Sequence, residues 1–508
     1  MRAAGARSLG ALGLLSGAFG GAGVGDAPVE ALAVDSRTVR SGTLFAAMPG
    51  TTLDGAAFIG DAVAAGAVAV LATPEGAARA GPQPVPVFTT ETPRGALARL
   101  AAAFYGAQPD VMAAVTGTNG KTSTAHFLRA IWASGGLAAA SLGTTGVAGR
   151  APGGADFTEP LAHTTPEPIT LHALLERLEA KGCSHAAMEA SSHGLVQGRL
   201  DGVVLRAAAL THITRDHLDY HASHAEYVAA KLRLFRALLP EGAVAVLNAD
   251  DPVFAEAEAA AQARGQRVIA TGRAARADLR IAAQALHAGG QRVRLAYGGA
   301  EAAVELALVG AYQAENVATA AGLALATGMG WEAVLAALPG LETVRGRMEL
   351  AGRRANGAAV YVDYAHTPGA VASALASIRP HCAGRMVVVL GAGGDRDPGK
   401  RPMMGAAAAE HADLALITDD NPRSEVPAEI RRAVLAGCPG GVDAGERAAA
   451  IRAGVAALTG PGDLLLVAGK GHEQGQELGG RVLPFDDVSE ARAAIAEADG
   501  TARMGGAA

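Results

Sequence analysis

Cysteine is scarce in this 508-residue chain: Cys183, Cys382 and Cys438 are the only three, with no CxxC pair and no metal-ligand spacing. An odd, sparse set in so long a chain argues against a disulfide framework and suits a reducing compartment. Aromatic residues make up only 4%, so the cores must be built from Ala, Val and Leu. No stretch of about 18 residues is apolar without charges or breakers, which excludes a membrane-spanning helix. The formal net charge is -6, and the basic residues are scattered rather than blocked, so nucleic acid has no footprint. An apolar run from Leu9 to Phe19 follows Arg2 and Arg7, but Gly10, Gly13, Ser16 and Gly17 interrupt it. A short N-terminal helix is expected there rather than an exported leader, and the chain is expected in the cytoplasm.

What the chain has in quantity is small apolar residues, and half of it is hydrophobic. Strand-like runs alternate with Ala-rich helical stretches almost throughout, which is the pattern of α/β domains with mostly parallel sheets. In the first third, strands are expected at Ala31–Asp35, Thr43–Ala47, Ala67–Leu71 and Val85–Thr89, with helices at Ala56–Ala65 and Pro93–Phe104. The loop Gly106–Asp110 then leads into a strand at Val111–Thr116 and a helix at Thr122–Ser134. Further strands are expected at His185–Glu189, Ala207–Ile213 and Gly242–Leu247, and a helix at His224–Leu239 with one apolar face. Residues 276–309 alternate like a small antiparallel element and end at a helix, Ala314–Ala326. The last region begins near Val344, with strands at Ala359–Val362, Arg385–Leu390, Leu414–Thr418 and Asp463–Ala468. Three domains follow from this: residues 1–106, 107–343 and 344–508.

The sharpest motif is Thr116-Gly117-Thr118-Asn119-Gly120-Lys121-Thr122, between a strand and a helix. That is the setting of a phosphate loop: glycines let backbone N–H groups approach phosphates, and the helix N-terminus adds partial positive charge. Lys121 offers a point charge to the β and γ phosphates, and Thr122 a hydroxyl to Mg²⁺. A generic loop of this type carries glycine where Val115 stands, and this loop is shorter. The plain alternative is a Gly-rich turn with an exposed lysine.

The string Val115–Thr122 resembles the ATP loop of Mur ligases and the related folylpolyglutamate synthases. Other segments fall into the same order along almost the whole chain: Glu189-Ala190-Ser191-Ser192-His193-Gly194-Leu195, Thr214-Arg215-Asp216-His217-Leu218-Asp219-Tyr220-His221, Asn316, Arg345-Gly346-Arg347-Met348-Glu349, and Asp363-Tyr364-Ala365-His366-Thr367-Pro368. The resemblance implies an N-terminal UDP-binding α/β domain, a central phosphate-loop ATPase domain with a parallel sheet, and a C-terminal Rossmann-like domain. It also implies a reaction: ATP phosphorylates a carboxylate, an amine attacks the acyl phosphate, and phosphate leaves. Two anions must then meet, so Mg²⁺ ions and cations must screen them and hold them in line. On the matching motifs, Gly117, Thr118, Asn119, Gly120, Lys121, Thr122 and Ser123 would bind ATP. Thr122, Glu189, His217 and Lys231 would serve the Mg²⁺ ions, Lys231 as a carbamate. Its plain alternative is a surface lysine on an amphipathic helix. Asn316 would contact adenine, Arg347 the phosphates and Asp363 the ribose, although Asp363 and His366 could also be turn residues before Pro368.

The same resemblance assigns substrate positions. Val34, Ser36, Thr51, Thr52 and Leu53 match UDP-contacting segments of the branch that adds diaminopimelate or lysine. His163, Thr164, Thr165, Ser191, Gln197 and Arg199 match positions that hold UDP-N-acetylmuramoyl-L-Ala-D-Glu, with His163 standing where some members have asparagine. Asp420-Asn421-Pro422-Arg423 resembles the signature for meso-diaminopimelate. The chemistry agrees, because that amino acid has a second carboxylate, which an arginine can grip and which lysine lacks. Arg396, Gly469 and Glu473 would complete the amino-acid site. Asn-Pro is also a turn dipeptide, and a turn at a strand's carboxyl end can serve both roles. Gly391-Ala392-Gly393-Gly394 and Gly469-Lys470-Gly471 fail the dinucleotide fingerprint. The rival readings are a lysine-adding muramoyl ligase, a folylpolyglutamate synthase-like ligase, and a nucleotide-binding scaffold without turnover. A monomer is expected.

Overall fold

Short runs of Ala, Val and Leu form the parallel strands. The computed structural model describes residues 6–14, 26–50, 53–214 and 220–500. The chain divides into two compact units, Met1–Leu279 with Thr319–Val334, and Arg280–Ala318 with Leu335–Ala508.

The first unit opens on a short strand, Arg7–Ser8, paired antiparallel with Pro28–Val29. Residues 9–14 form hydrogen-bonded turns rather than the expected helix, with Gly13 at φ 75°. Two glycines in six residues favour that outcome; residues 15–19 of the expected helix lie outside the described residues. Leu9, Leu12 and Leu14 are buried with Leu44, Leu71, Leu97 and Phe104. A four-stranded parallel sheet follows, in the order Ala31–Ala33, Thr43–Ala46, Ala67–Ala72, Val87–Thr89. The expected helix after the second strand is a 3₁₀ turn, Gly55–Phe58, leading into Ile59–Ala64, and the Asp54 side chain caps the turn at Ala56 N.

The larger sheet of this unit runs Asp156–Glu159, Gly146–Arg150, Ala139–Gly143, His185–Glu189, Val111–Thr116, Ala207–Leu210, Val244–Asn248, Arg267–Gly272. From Ala139–Gly143 onward every pairing is parallel. The Val111–Thr116 strand is central and almost wholly buried. Its carboxyl end opens through the glycine loop into the helix Lys121–Ser134, which buries Phe127, Leu128, Ile131 and Trp132. Trp132 donates its indole N–H to Thr327 at 3.1 Å. The helix His224–Arg233 starts at Ser223, whose hydroxyl accepts from Glu226 N. It does not run on to Leu239 as a regular helix; a π turn, Leu234–Leu238, intervenes. Gln266 donates to the freed carbonyls of Phe235 and Leu239, at 2.8 and 2.7 Å, so the turn leaves neither unpaired.

The second unit includes the strands Leu279–His287, Gly290–Tyr297 and Ala300–Leu306, the last two antiparallel in the expected stretch. Its six-stranded sheet runs Glu349–Arg353, Ala359–Asp363, Leu464–Ala468, Met386–Ala392, Leu414–Asp419, Val442–Gly445. All pairs but the first are parallel. One apolar core lies on each face, one around Val388, Leu390, Ile417 and Leu466, the other around Val387, Val389, Leu465 and Val467. Alternate residues of one strand thus serve opposite cores, as the pleat requires.

Candidate active site

Thr116 ends its strand by donating its hydroxyl to Ala190 O at 2.8 Å, which ties the phosphate loop to the strand carrying Glu189. Gly117 then takes φ 145° and Gly120 φ 86°. A side chain at Gly117 would collide with the Thr211 hydroxyl, so the tight passage there admits only glycine. Thr211 donates to Asn119 O at 2.6 Å, and Thr118 N donates to His212 O at 2.6 Å. The Thr118 hydroxyl lies 2.9 Å from that of Tyr227. The loop is therefore preformed. Lys121 Nζ donates to Gly117 O and Thr118 O, at 2.9 and 2.8 Å. Thr122 is half-buried and Ser123 buried in the first helical turn.

Lys231 is 1% exposed, which overturns the surface-lysine alternative. Its Nζ donates to Gly117 O at 2.7 Å and lies 4.5 Å from the centre of the Tyr227 ring. Two lysines thus share one loop carbonyl. Glu189 ends its strand beside Val115 and is equally buried. Thr144 holds its carboxylate, through N–H at 2.7 Å and hydroxyl at 3.2 Å. A side chain at Gly143 would collide with that carboxylate. Lys121, Lys231 and Glu189 are gathered at one strand end, as expected; His217 lies outside the described residues. So do Thr51 and Thr52.

The residues expected to hold the dipeptide form one connected set. Thr164 meets Thr144 hydroxyl to hydroxyl at 3.0 Å. Thr165 donates to Glu189 O at 2.9 Å and to the Ser191 hydroxyl at 3.0 Å. Arg199 donates to Thr165 O at 2.6 Å, to Gln197 Oε1 at 2.7 Å and pairs with Glu167 at 2.6 Å. His163 is exposed. In the N-terminal sheet region Val34 and Leu53 are exposed large apolar side chains, and Ser36 starts a turn capped by Asp35. Arg37 folds back on Asp35 with both oxygens in reach, holding that carboxyl down to about 2.

Sequence reasoning missed His212 and Asp251 beside this loop, 2.8 Å apart. Burial works against the Asp251 carboxylate, but the His212 ring and the amides of Ile213 and Val253 outweigh it and hold the group below its ordinary range.

In the second unit Asn316 donates to Gln313 Oε1 at 2.9 Å, and both are buried. Asp363 ends its strand and accepts from Met348 N and Ala365 N, at 2.9 and 2.8 Å. Burial raises its pKa, and Arg347 opposes that only in part. The Arg347 guanidinium lies 4.7 Å from the Tyr364 ring centre, and its Nε is buried without a hydrogen-bond partner. Asp363 is thus no mere turn residue, whereas exposed His366 bonds locally to Tyr364 O at 2.7 Å.

Asp420-Asn421-Pro422-Arg423 leaves the strand Leu414–Asp419 at its carboxyl end and finishes with Arg423 at φ 53°. Arg423 Nη1 donates to Gly394 O at 2.8 Å and Nε pairs with Glu477 at 2.7 Å; Nη2 takes part in neither. A side chain at Gly393 would sit 3.0 Å from Arg423 Nη1 and 3.7 Å from Arg396 Cγ, so the two arginines flank one glycine. Asp420 Oδ2 is buried without a hydrogen-bond partner and faces the open side of Gly469. Asn421 donates to Glu473 Oε2 at 2.9 Å. The expected amino-acid residues therefore follow the carboxyl ends of three strands of one sheet, Met386–Ala392, Leu414–Asp419 and Leu464–Ala468. Motif reading assigned no role to Lys470, Arg447, Asp487 or Glu477. Arg447 and Asp487, both fully buried, form a two-bond pair at 2.7 Å behind Asp420, and Arg447 Nη2 also donates to Ala468 O at 2.9 Å.

Three family models match successive stretches: Mur ligase family, catalytic domain, over residues 28–105; Mur ligase middle domain over 115–324; and Mur ligase, glutamate ligase domain, over 346–471. The chain is 49% identical over 473 residues to the UDP-N-acetylmuramoyl-L-alanyl-D-glutamate–2,6-diaminopimelate ligase of Chelativorans sp. (strain BNC1), covering 93% of this chain and 96% of that one. It is 50% identical over 473 residues to the protein of the same name from Bradyrhizobium diazoefficiens, covering 92% and 95%. A solved structure of a ligase of that name superposes with a TM-score of 0.69 at 32% identity, over 92% of this chain and 95% of the other. The MurF ligase of Thermotoga maritima in complex with ADP shares the fold, with a TM-score of 0.59 at 18% identity over 92% and 96%. Joined to the preformed phosphate loop, these matches define an ATP-dependent enzyme that forms amide bonds. Within that class, the chain belongs to the Mur ligase family.

Proposed function

We propose that this enzyme joins meso-2,6-diaminopimelate to the γ-carboxylate of D-Glu in UDP-N-acetylmuramoyl-L-Ala-D-Glu, at the expense of ATP, in peptidoglycan synthesis. The observation that carries the choice of amine is the cluster of Arg423, Asn421 and Glu473 beyond the carboxyl ends of two strands of one sheet, where a cation, an amide and a carboxylate converge. A free arginine nitrogen suits a distal carboxylate, and Glu473 a distal ammonium. Lysine has the second group but not the first.

Residues 1–106 hold the UDP moiety in this reading, residues 107–343 the ATP and dipeptide, and residues 344–508 the amino acid. The D-Glu carboxylate oxygen attacks the γ-phosphorus, and the bond to ADP breaks. The amine nitrogen then attacks the acyl carbon, loses a proton, and inorganic phosphate departs. The loop amides and Lys121 bear the phosphate charge, while Thr164, Thr165, Ser191 and Arg199 orient the dipeptide. Among the described residues no cluster of three His, Cys, Asp or Glu side chains could hold a metal. The donors that are described nonetheless fit a hard cation: Glu189 is a buried carboxylate with only Thr144 donating to it, and Thr122 adds a hydroxyl. Mg²⁺ bound there supplies charge neutralisation for the phosphates. Lys231 would join His217 in that set once its amine has taken up CO₂ and released a proton, becoming an anionic carbamate. The enzyme acts as a cytoplasmic monomer on this account, and no helix among the described residues is long and apolar enough to cross a membrane.

The test is phosphate release with a panel of amino acids. Release that needs ATP, the UDP-dipeptide and diaminopimelate together is expected, with lysine a far poorer amine. Equal use of lysine would overturn the choice of amine, and nucleotide binding without turnover would leave a scaffold.

A further inference from the structure

Lys470 is among the largest fully buried side chains in the protein, yet neither the phosphate chemistry nor the arginine pair uses it. A buried ammonium is costly unless it is paired and hydrogen-bonded. Here it donates to Asn421 Oδ1 at 2.9 Å and to Glu473 Oε2 at 3.1 Å. Asn421 Oδ1 also accepts from Glu477 N at 3.0 Å, so two donors converge on that oxygen. An amide whose oxygen faces two donors has one orientation: its nitrogen must point the other way. That nitrogen donates to Glu473 Oε2 at 2.9 Å and has a second hydrogen left to give. Glu473 Oε2 in turn takes both Lys470 and Asn421, so only Oε1 remains uncommitted on a side chain that is 35% exposed.

We infer that Lys470 is a positioning residue that fixes the polarity of the amino-acid pocket, setting Asn421 as a donor toward a distal carboxylate and Glu473 as an acceptor toward a distal ammonium, and so selects an amine substrate with a zwitterionic far end. Without the lysine, the Asn421 amide can turn over and present its oxygen to the ligand's carboxylate. Glu473 can then swing away from the pocket. The first change penalises a substrate with a distal carboxylate and spares one with a lone ammonium, while the second weakens both. The neighbouring fold supports a fixed frame: Glu473 N donates to Lys470 O at 3.0 Å, and the hairpin Gly475–Leu478/Arg481–Pro484 bonds to Arg423 through Glu477 O and Gly479 N. The inference rests on the proposed amine substrate.

The experiment measures kcat/KM for diaminopimelate and for lysine in the full-length wild type, Lys470→Met and Lys470→Gln, by phosphate release with saturating ATP and UDP-dipeptide. Lys470→Met is expected to lower the diaminopimelate-to-lysine preference about tenfold or more, the loss of a charge-assisted hydrogen bond, through the KM for diaminopimelate. The KM values for ATP and the dipeptide should stay within about twofold, because neither substrate needs the Asn421 amide. Lys470→Gln, which keeps N–H donors but loses the charge and one atom of reach, should fall between; it carries the test if the Met variant does not fold. A preference unchanged in whichever variant folds, with kcat falling equally for both amines, would make Lys470 structural and overturn the inference alone. A wild type with no preference for diaminopimelate would overturn the proposed substrate, and this inference with it.

Discussion

Replacing Arg423 separates binding from stability in the amino-acid site. The residue sits at φ 53°, where any side chain costs about 1 kcal/mol or more and glycine almost nothing. Its pair with Glu477 is partly exposed, at 24% and 48%, and such a pair contributes at most about 1 kcal/mol. Arg423→Gly therefore loses a small ion pair and the bond to Gly394 O and relieves part of that in backbone strain, so its unfolding free energy should fall by no more than about 3 kcal/mol. Arg423→Ala keeps the strain and should be the less stable of the two. Binding should respond differently. A charge-assisted hydrogen bond contributes about 1.5 to 3 kcal/mol, so the KM for diaminopimelate should rise about 10- to 150-fold in both variants. The assay is phosphate release against diaminopimelate with ATP and UDP-dipeptide saturating, beside denaturant unfolding of the same samples. Lysine use should change little, since lysine has no distal carboxylate to lose. An unchanged KM for diaminopimelate, or a rise in the KM for ATP of the same size, would refute the assignment.

Three further outcomes are expected. Lys231→Ala should lower kcat about 100-fold or more, the scale for a lost preorganised group at a phosphoryl-transfer site, and added acetate should restore part of it; full activity without rescue would end the carbamate reading. Asp487→Ala should destabilise the second unit by about 3 to 5 kcal/mol in denaturant melts, because it strands the fully buried Arg447, and a change under 1 kcal/mol would show the pair to be dispensable. His126, His172 and His472 are each pushed down to about 4, by burial first. The unfolded chain binds protons that the folded chain refuses, so their penalty is absent above pH 6.5 and grows as pH falls toward 4. Each histidine should cost about 2 kcal/mol of stability by pH 5, and His172→Gln should remove one share of that slope; identical slopes in the variant and wild type would contradict it.

The phosphate-loop strand was legible to the residue, because Val111–Thr116 is a bounded apolar run ahead of a glycine loop. The strands Ala139–Gly143, Gly146–Arg150 and Asp156–Glu159, at one side of the sheet, were not, because Ala, Gly and Ser carry little strand preference and the pairing comes from neighbours. The hairpin Gly475–Leu478/Arg481–Pro484 was hidden in the same way, although Gly479-Gly480 between its strands was a usable turn signal. Motif order singled out the residues assigned to substrate. It did not find those that hold them: Thr144 on Glu189, Lys470 on Asn421 and Arg447 behind Asp420 are long-range contacts with no local signature. Lys470 was visible only as a residue between two glycines. Its burial, not its spacing, identifies it.

The most direct measurement of the central claim uses UDP-N-acetylmuramoyl-L-Ala-D-Glu labelled with ¹⁸O in both oxygens of the γ-carboxylate. With ATP and diaminopimelate present, an acyl phosphate predicts one labelled oxygen in each phosphate released and the other in the new amide. Phosphate free of label, with turnover intact, would contradict activation of that carboxylate by ATP.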